Sequence, residues 1–434
     1  MSSKNATMPD QSQGALVRKA AVASFIGNFV EWFDYASYGY LATIIAVVFF
    51  PEEDPKAALL MTFAIFAISF IIRPLGGIIW GNIGDKYGRR TALSLSILIM
   101  SGATFLIALL PTYAHVGILA PILLLLIRMV QGFSASGEYA GASAFLVEYA
   151  PSNRRGFYAC LVPASTAVGL LVGSLSVTAM HQFMSPEFLH TWGWRIPFVF
   201  ALPLGLIGRY IRVHLEDTPA FRELEASHHV VKTPLKILFT EHYREMICGF
   251  GVACLNAVGF YVILSYMPTY MSVEMNVDHS TAYLAETLSL CAYILLIFMM
   301  GKLSDRLGRK TMLITASICF ILFTVPLFSQ ISGNTLVQIL AIQIAFGAML
   351  TINDGTLASF LAEVFPTKVR YTGFAFTFNM ANALLGGTAP LVCTWLIQMT
   401  GNKMMPAWYL VFFSVVALIA MLFIKETAHK SLRD

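Results

Sequence analysis

Apolar runs of about 20 or more residues, each long enough to cross a bilayer as a helix, recur from Ala20 to Phe423. About twelve are present, near 20–49, 57–83, 91–111, 117–149, 157–182, 195–213, 245–271, 281–303, 311–330, 336–363, 369–399 and 406–424. Backbone groups inside hydrocarbon have no water to bond, so so many runs restrict the chain to helices bundled across a membrane. Composition agrees: hydrophobic residues make up 57% of the chain, charged residues 12%, and the mean hydropathy is +0.71. A polar stretch, about His214 to Tyr243, separates two groups of six runs. The expected fold is an all-α integral membrane protein of about 12 transmembrane helices in two six-helix halves. Its parts are a tail over 1–19, a bundle over 20–213, a loop over 214–244, a bundle over 245–424 and a tail over 425–434.

The two groups repeat each other. Gly81-x-x-x-Asp85-x-x-Gly88-Arg89-Arg90 joins the second and third runs, and Gly301-x-x-x-Asp305-Arg306-x-Gly308-Arg309-Lys310 joins the eighth and ninth. Glu148-x-x-Pro151-x-x-x-Arg155 follows the fourth run, and Glu363-x-x-Pro366-x-x-x-Arg370 follows the tenth. Two motif pairs at matching offsets imply a duplicated bundle.

Basic residues orient the array, because short positively charged loops stay on the cytoplasmic side. Lys86, Arg89, Arg90, Arg154, Arg155, Arg212, Arg222, Arg306, Arg309, Lys310, Lys368 and Arg370 are assigned to alternate connections. Both termini are then expected in the cytoplasm, with Arg18 and Lys19 before the first run and Lys425, Lys430 and Arg433 after the last. The polar first seventeen residues lack a cleavage pattern, so the first run is expected to be an uncleaved span.

The net charge of +4 is dispersed over loops and forms no stripe suited to nucleic acid. The six cysteines lack CxxC spacing, His228 and His229 sit together in the central loop without further ligands, and no metal or cofactor is expected. No HExxH helix, GxSxG turn or P-loop is present, so neither an enzyme nor an ATP-driven pump is expected.

Charges within the runs carry the functional reading. A charged side chain near the bilayer centre costs on the order of 3 kcal/mol on insertion scales, so it persists only against a polar cavity or a partner. Counting about 1.5 Å per residue places Glu31, Asp34, Arg73, Glu138 and Asp354 at similar depth, near the midplane where alternating-access carriers hold substrate. Asn28, Glu31, Tyr35 and Tyr38 recur at helical spacing and give the first run one polar, aromatic face. Arg128, Gln131 and Glu138 share a face of the fourth run, with about 15 Å of rise between Arg128 and Glu138, so their partners are on other helices. Arg73 is the cation matched in depth to Glu31 and Glu138; for it, an ion pair that locks helices weighs as much as substrate contact. Asn256, Tyr261 and Asn379 complete the candidate substrate and proton pathway in the second group.

The paired Gly-x-x-x-Asp-x-x-Gly-Arg motif resembles the signature of the major facilitator superfamily. Gly27-Asn-Phe-Val-Glu-Trp-Phe-Asp34, Arg73-Pro-Leu-Gly-Gly77, Gln131-Gly-Phe-Ser-Ala-Ser-Gly-Glu-Tyr139 and Trp192-Gly-Trp-Arg-Ile-Pro197 resemble its metabolite:proton symporter branch. Asp217-Thr-Pro-Ala-Phe221, Ser265-Tyr-Met-Pro-Thr-Tyr270 and Met404-Met-Pro-Ala-Trp-Tyr409 look most like the proton/proline-betaine symporters. The resemblance implies a bacterial inner-membrane carrier driven by the proton gradient. Osmosensing members carry a long polar tail with a coiled coil; so few residues follow the last run here that gating through such a tail is not expected.

Gly81, Asp85, Gly88, Arg89 and Arg90, with Gly301, Asp305, Arg306, Gly308 and Arg309, read as a conformational latch, since the positive-inside rule alone leaves the glycines and aspartates unexplained. Midplane acids outnumber arginines, which favours a cationic or zwitterionic solute, such as proline or glycine betaine, and protons. Trp32, Tyr35, Tyr38, Tyr261 and Tyr266 could cage a quaternary ammonium group. An organic acid such as citrate or 2-oxoglutarate is the alternative substrate, and a carrier-like sensor the alternative class. The expected partners are a small solute, protons and the bilayer, with no nucleic acid and no required oligomer.

Overall fold

The computed structural model describes residues 10–51, 55–331 and 335–432; Arg433 and the first nine residues lie outside the described residues. Twelve spans appear among them: α1 (Gly14–Tyr40, continued past a break by Ala42–Phe49), α2 (Ala64–Tyr87), α3 (Arg89–Leu109), α4 (Leu119–Tyr149), α5 (Arg155–Phe183), α6 (Gly193–Val213), α7 (Tyr243–Glu274), α8 (Thr281–Leu307), α9 (Arg309–Ser329), α10 (Leu336–Val364), α11 (Thr367–Thr400) and α12 (Met405–Leu422). Helix is the outcome because only i to i−4 bonding satisfies each span's backbone within itself.

Departures from ideal helix in four spans shape the interior. The first span is not one straight helix but two helices bent by 71° at Leu41. α4 breaks at Ser136 and Gly137, between Ala135 and Glu138. π-helical turns interrupt α7 at Val262–Tyr266 and Tyr270–Glu274, and α11 at Asn382–Gly386. Such turns concentrate at functional sites because they release backbone groups and rotate side chains. The central loop is also more ordered than a polar linker: it carries helices Pro219–Ala226 and Pro234–Glu241, the first capped by Thr218, whose Oγ1 accepts from Phe221 N.

The halves are built alike. α1 packs on α5 and α3 on α6 in the first half, as α7 packs on α11 and α9 on α12 in the second. Between halves, α2 lies along α11 and α8 along α5, the two pairings a duplicated bundle exchanges under pseudo-twofold symmetry. Glycines permit both approaches. A Cβ on Gly81 would stand 2.5 Å from the Thr372 Cα, and one on Gly301 2.9 Å from the Gly156 carbonyl and 2.6 Å from Cys160 Sγ.

Candidate transport site

Glu31 projects from the buried face of α1 into the layer between the halves. Its Oε1 accepts from Arg73 Nη2 of α2 at 2.6 Å, while Oε2 has no partner. Arg73 follows a turn at Ile72, and its guanidinium lies 4.9 Å from the Tyr35 ring centre and 4.6 Å from that of Phe70. Aromatic rings continue this frame into the second half: Trp32 meets Phe260 edge-on at 5.3 Å, and Phe70 meets Tyr261 at 5.8 Å. Trp32 Nε1 and the Tyr261 hydroxyl are buried without partners. Buried polar groups are normally satisfied, so three orphaned ones around a single ion pair mark a place prepared for something polar.

The other first-half charges are separately enclosed. Asp34 Oδ2 accepts from Arg128 Nη1 at 2.7 Å and from Gln131 Nε2 at 2.6 Å, and Gln131 reaches Thr104. Tyr38 covers this group, its ring 4.0 Å from the Arg128 guanidinium, and its hydroxyl donates to the Thr62 carbonyl at 3.1 Å. Tyr38 therefore belongs to the Arg128 enclosure and not to the Arg73 frame. Tyr266 is also elsewhere, accepting from Thr394 and facing Tyr270. Asn28 donates to Val162 O, Ser165 and Thr166, which ties α1 to α5.

Glu138 does not share Arg73 with Glu31. Its partner is Arg212 of α6, which donates to both carboxylate oxygens, to the Leu93 carbonyl at 2.8 Å and to the Ala23 carbonyl at 3.1 Å. Arg212, counted in the sequence among loop charges, is 1% exposed inside the bundle. Position at a run's end was a poor guide because a long guanidinium reaches back along its helix.

In the second half, Asp354 of α10 accepts from Asn256 Nδ2 of α7 and from Tyr293 Oη of α8, each at 2.6 Å. Asn379 of α11 donates to the Ser136 carbonyl at 2.7 Å across the halves, at the break in α4. One further buried acid went unread in the sequence: Glu286 of α8, whose Oε2 accepts from Gln343 Nε2 of α10 at 2.5 Å while Oε1 stays unpartnered. The available signal was an acid and an amide inside runs eight and ten.

At the end of the bundle that carries both glycine motifs, the network is duplicated. Asp85 pairs with Arg89 at 2.7 Å and accepts from Tyr371 N, Thr372 N and Thr372 Oγ1 at the start of α11. Asp305 pairs with Arg309 at 3.0 Å and accepts from Gly156 N and Phe157 N at the start of α5. Arg89 and Arg309 then reach Glu148 and Glu363 at the ends of α4 and α10. Gly88 and Gly308 take φ of 98° and 95°, which side chains rarely adopt, and turn the chain directly into α3 and α9. Those helix starts are capped from the segments that follow α6 and α12: Asp217 accepts from Arg89 N and Arg90 N, and Glu426 from Arg309 N and Lys310 N. Thr218 and Thr427 donate to Glu148 and Glu363. This acid-threonine pair, Asp217-Thr218 after run six and Glu426-Thr427 after run twelve, is a third repeat beyond the two motif pairs. Arg90 serves as a strut to the Leu215 carbonyl, whereas Arg306 is exposed, lines a surface cleft with Asn153, Arg154 and Lys302, and stands outside the network.

Two repeated six-helix halves, closed against each other by a duplicated polar network at one end and meeting at a partly unsatisfied polar layer in the middle, define a membrane transporter. The chain belongs to the major facilitator superfamily. The family pattern described as sugar (and other) transporter matches residues 19–229, and that of the major facilitator superfamily residues 249–434. The proline/betaine transporter of Salmonella typhimurium is 39% identical over 426 residues, covering 96% of this chain and 85% of that one. The glycine betaine/proline/ectoine/pipecolic acid transporter OusA of Dickeya dadantii is 38% identical, over the same shares of both chains. In structure the chain resembles the proton:xylose symporter XylE with a bound sugar derivative, with a TM-score of 0.78 at 17% identity over 97% of this chain and 98% of that one. A partially occluded, inward-open form of XylE superposes with a TM-score of 0.67 at 16% identity, over 96% of this chain and 100% of that one. The chain is thus an integral protein of a bacterial membrane, related throughout its length to carriers of small solutes.

Proposed function

We propose that the protein is a proton-coupled symporter of a small zwitterion, such as proline or glycine betaine, working by alternating access. The observation that carries this reading is the frame around Arg73 and Glu31. It offers one guanidinium for a carboxylate, one half-free carboxylate for a positive charge, and flanking rings whose faces favour an ammonium group. Its walls come from both halves, so a bound solute would lose one wall as the halves rock. Names of the similar transporters point to the same solutes. Citrate or 2-oxoglutarate fits less well, because the frame sets a single arginine, beside an acid, against two or three carboxylates.

The motif end is the cytoplasmic side in this reading, both termini lie there, and the described state is closed on that side. The membrane is the bacterial inner membrane. The proton gradient is the driving force, no cofactor is needed, and a single chain suffices. Asp34 and Arg128 brace α1 on α4, and Glu138 and Arg212 join α4 to α6.

Proteoliposomes loaded with buffer and given an inward proton gradient should accumulate glycine betaine or proline, and a protonophore should remove the accumulation. Equal accumulation with and without the protonophore rejects proton coupling. Accumulation of citrate in preference to either zwitterion rejects the substrate assignment.

A further inference from the structure

Three buried acids of the first half each face an arginine: Glu31 with Arg73, Asp34 with Arg128, and Glu138 with Arg212. Asp354 is as deeply buried, at 1% exposure, and faces none. Each of its oxygens takes one hydrogen bond, from Asn256 and from Tyr293. The titratable groups around it are Tyr293 of α8 and, across the interface between halves, Tyr139 of α4, with the Cys160 thiol of α5 beside both tyrosines. Among the described residues, no arginine, lysine or histidine is paired with it. Two neutral donors do not repay the desolvation of a buried carboxylate, so the site calls for a positive partner. Its three polar side chains leave a proton as the smallest such partner.

Asn256 and Tyr293 suit both states of the acid. Both donate to the anion; with the amide turned over, Asn256 accepts from a carboxylic O–H. The position also couples to the rocking interface. Gly355, the next residue, brings α10 against the α8 backbone at Gly301, which itself rests on Gly156 and Cys160 of α5. Tyr139 adjoins the break in α4 and stacks on Phe378 of α11 at 4.2 Å. Movement of one half over the other therefore changes what covers Asp354.

We infer that Asp354 carries the coupling proton, taking it from water on one face to give a neutral carboxyl and returning it to water on the other. The inference deepens the proposed symport and rests on it. It divides the labour: the arginine-paired Glu31 holds solute in the first half, and the cation-free Asp354 holds the proton in the second.

The test uses the full chain in liposomes and two readouts. Infrared difference spectra between acid and alkaline buffer should contain a protonated-carboxyl stretch that Asp354→Asn removes. Proton-driven accumulation of glycine betaine should fall about tenfold or more in Asp354→Asn while counterflow exchange stays within about twofold, since exchange needs no net proton movement. Wild-type accumulation in Asp354→Asn overturns the inference. So does loss of accumulation in Glu286→Gln, Asp34→Asn or Glu138→Gln with Asp354→Asn unaffected, or a requirement for a sodium gradient. Should Asp354→Asn fail to fold, Tyr293→Phe removes a donor to the ionised form and should move the carboxyl signal's disappearance to higher pH; no movement overturns the assignment. If the wild type carries none of the zwitterions tested, the substrate reading fails while the infrared result still decides on Asp354.

Discussion

The two halves agree residue by residue at the motif end and part company in the middle of the membrane. At the motif end, Asp85, Arg89, Glu148, Asp217 and Thr218 have the counterparts Asp305, Arg309, Glu363, Glu426 and Thr427, in matching contacts. In the middle, first-half acids have arginine partners, and the second-half acids Asp354 and Glu286 have amides or a phenol. If the motif-end network is a gate, as proposed, it must hold and release both sides of one interface, which preserves equivalent wiring. In the proposed symport, substrate and proton are different cargoes, so the binding layer would gain from divergence. Even the gate is not fully symmetric. Arg370 crosses to Glu148 at 2.6 Å, whereas its counterpart Arg155 reaches the Lys430 carbonyl instead of Glu363.

That asymmetry predicts the largest effect. Glu148→Gln leaves Arg370 without its ion-pair partner and Arg89 with Asp85 alone, and should cost about 3–5 kcal/mol by comparison with other broken buried pairs. Glu363→Gln leaves Arg309 still paired with Asp305 and should cost clearly less. Thermal unfolding in detergent measures both, and equal losses would break the claim that the first half holds the gate's hub.

Next in size is the division of labour at the midplane. Glu31→Gln should raise the KM for glycine betaine about tenfold, equivalent to about 1.4 kcal/mol, with proton-to-solute stoichiometry unchanged. A changed stoichiometry with normal KM would give Glu31 the proton and erase the contrast with Asp354.

Asp85→Asn should lower the maximal rate about fivefold with little change in KM, because its contacts favour one conformation and lie outside the binding layer. Asp305→Asn should act in the same direction but less, having two bonds across the interface where Asp85 has three. Alkylation of Cys160, buried against Gly301, should accelerate in both variants when followed by mass spectrometry. A normal rate with weakened affinity would contradict a latch.

The smallest effect should be a matched one. Gly88→Ala and Gly308→Ala each force a side chain to positive φ beside a capping carboxylate, at about 1 kcal/mol or somewhat more of strain. Unequal shifts in unfolding temperature would show that the symmetry of the gate is only apparent.

Much of this was readable from residue order. Apolar runs fixed the spans because hydrocarbon leaves a backbone no alternative to helix, and the repeated glycine motifs announced the duplication and the polar network at one end. Depth counting brought Glu31 and Arg73 to one layer, and the chain folds with them 2.6 Å apart. Pairing beyond that was decided in three dimensions. Glu138 took Arg212 from a helix end, Tyr38 turned to Arg128, Tyr266 turned away from the frame, and Arg306 stayed outside the gate. Helix phase follows from sequence spacing, but which face meets which neighbour depends on the bend at Leu41, the break in α4 and the π turns of α7 and α11. Those irregularities trade a few backbone bonds for packing across the whole bundle, a balance that tertiary contacts set and local sequence does not express.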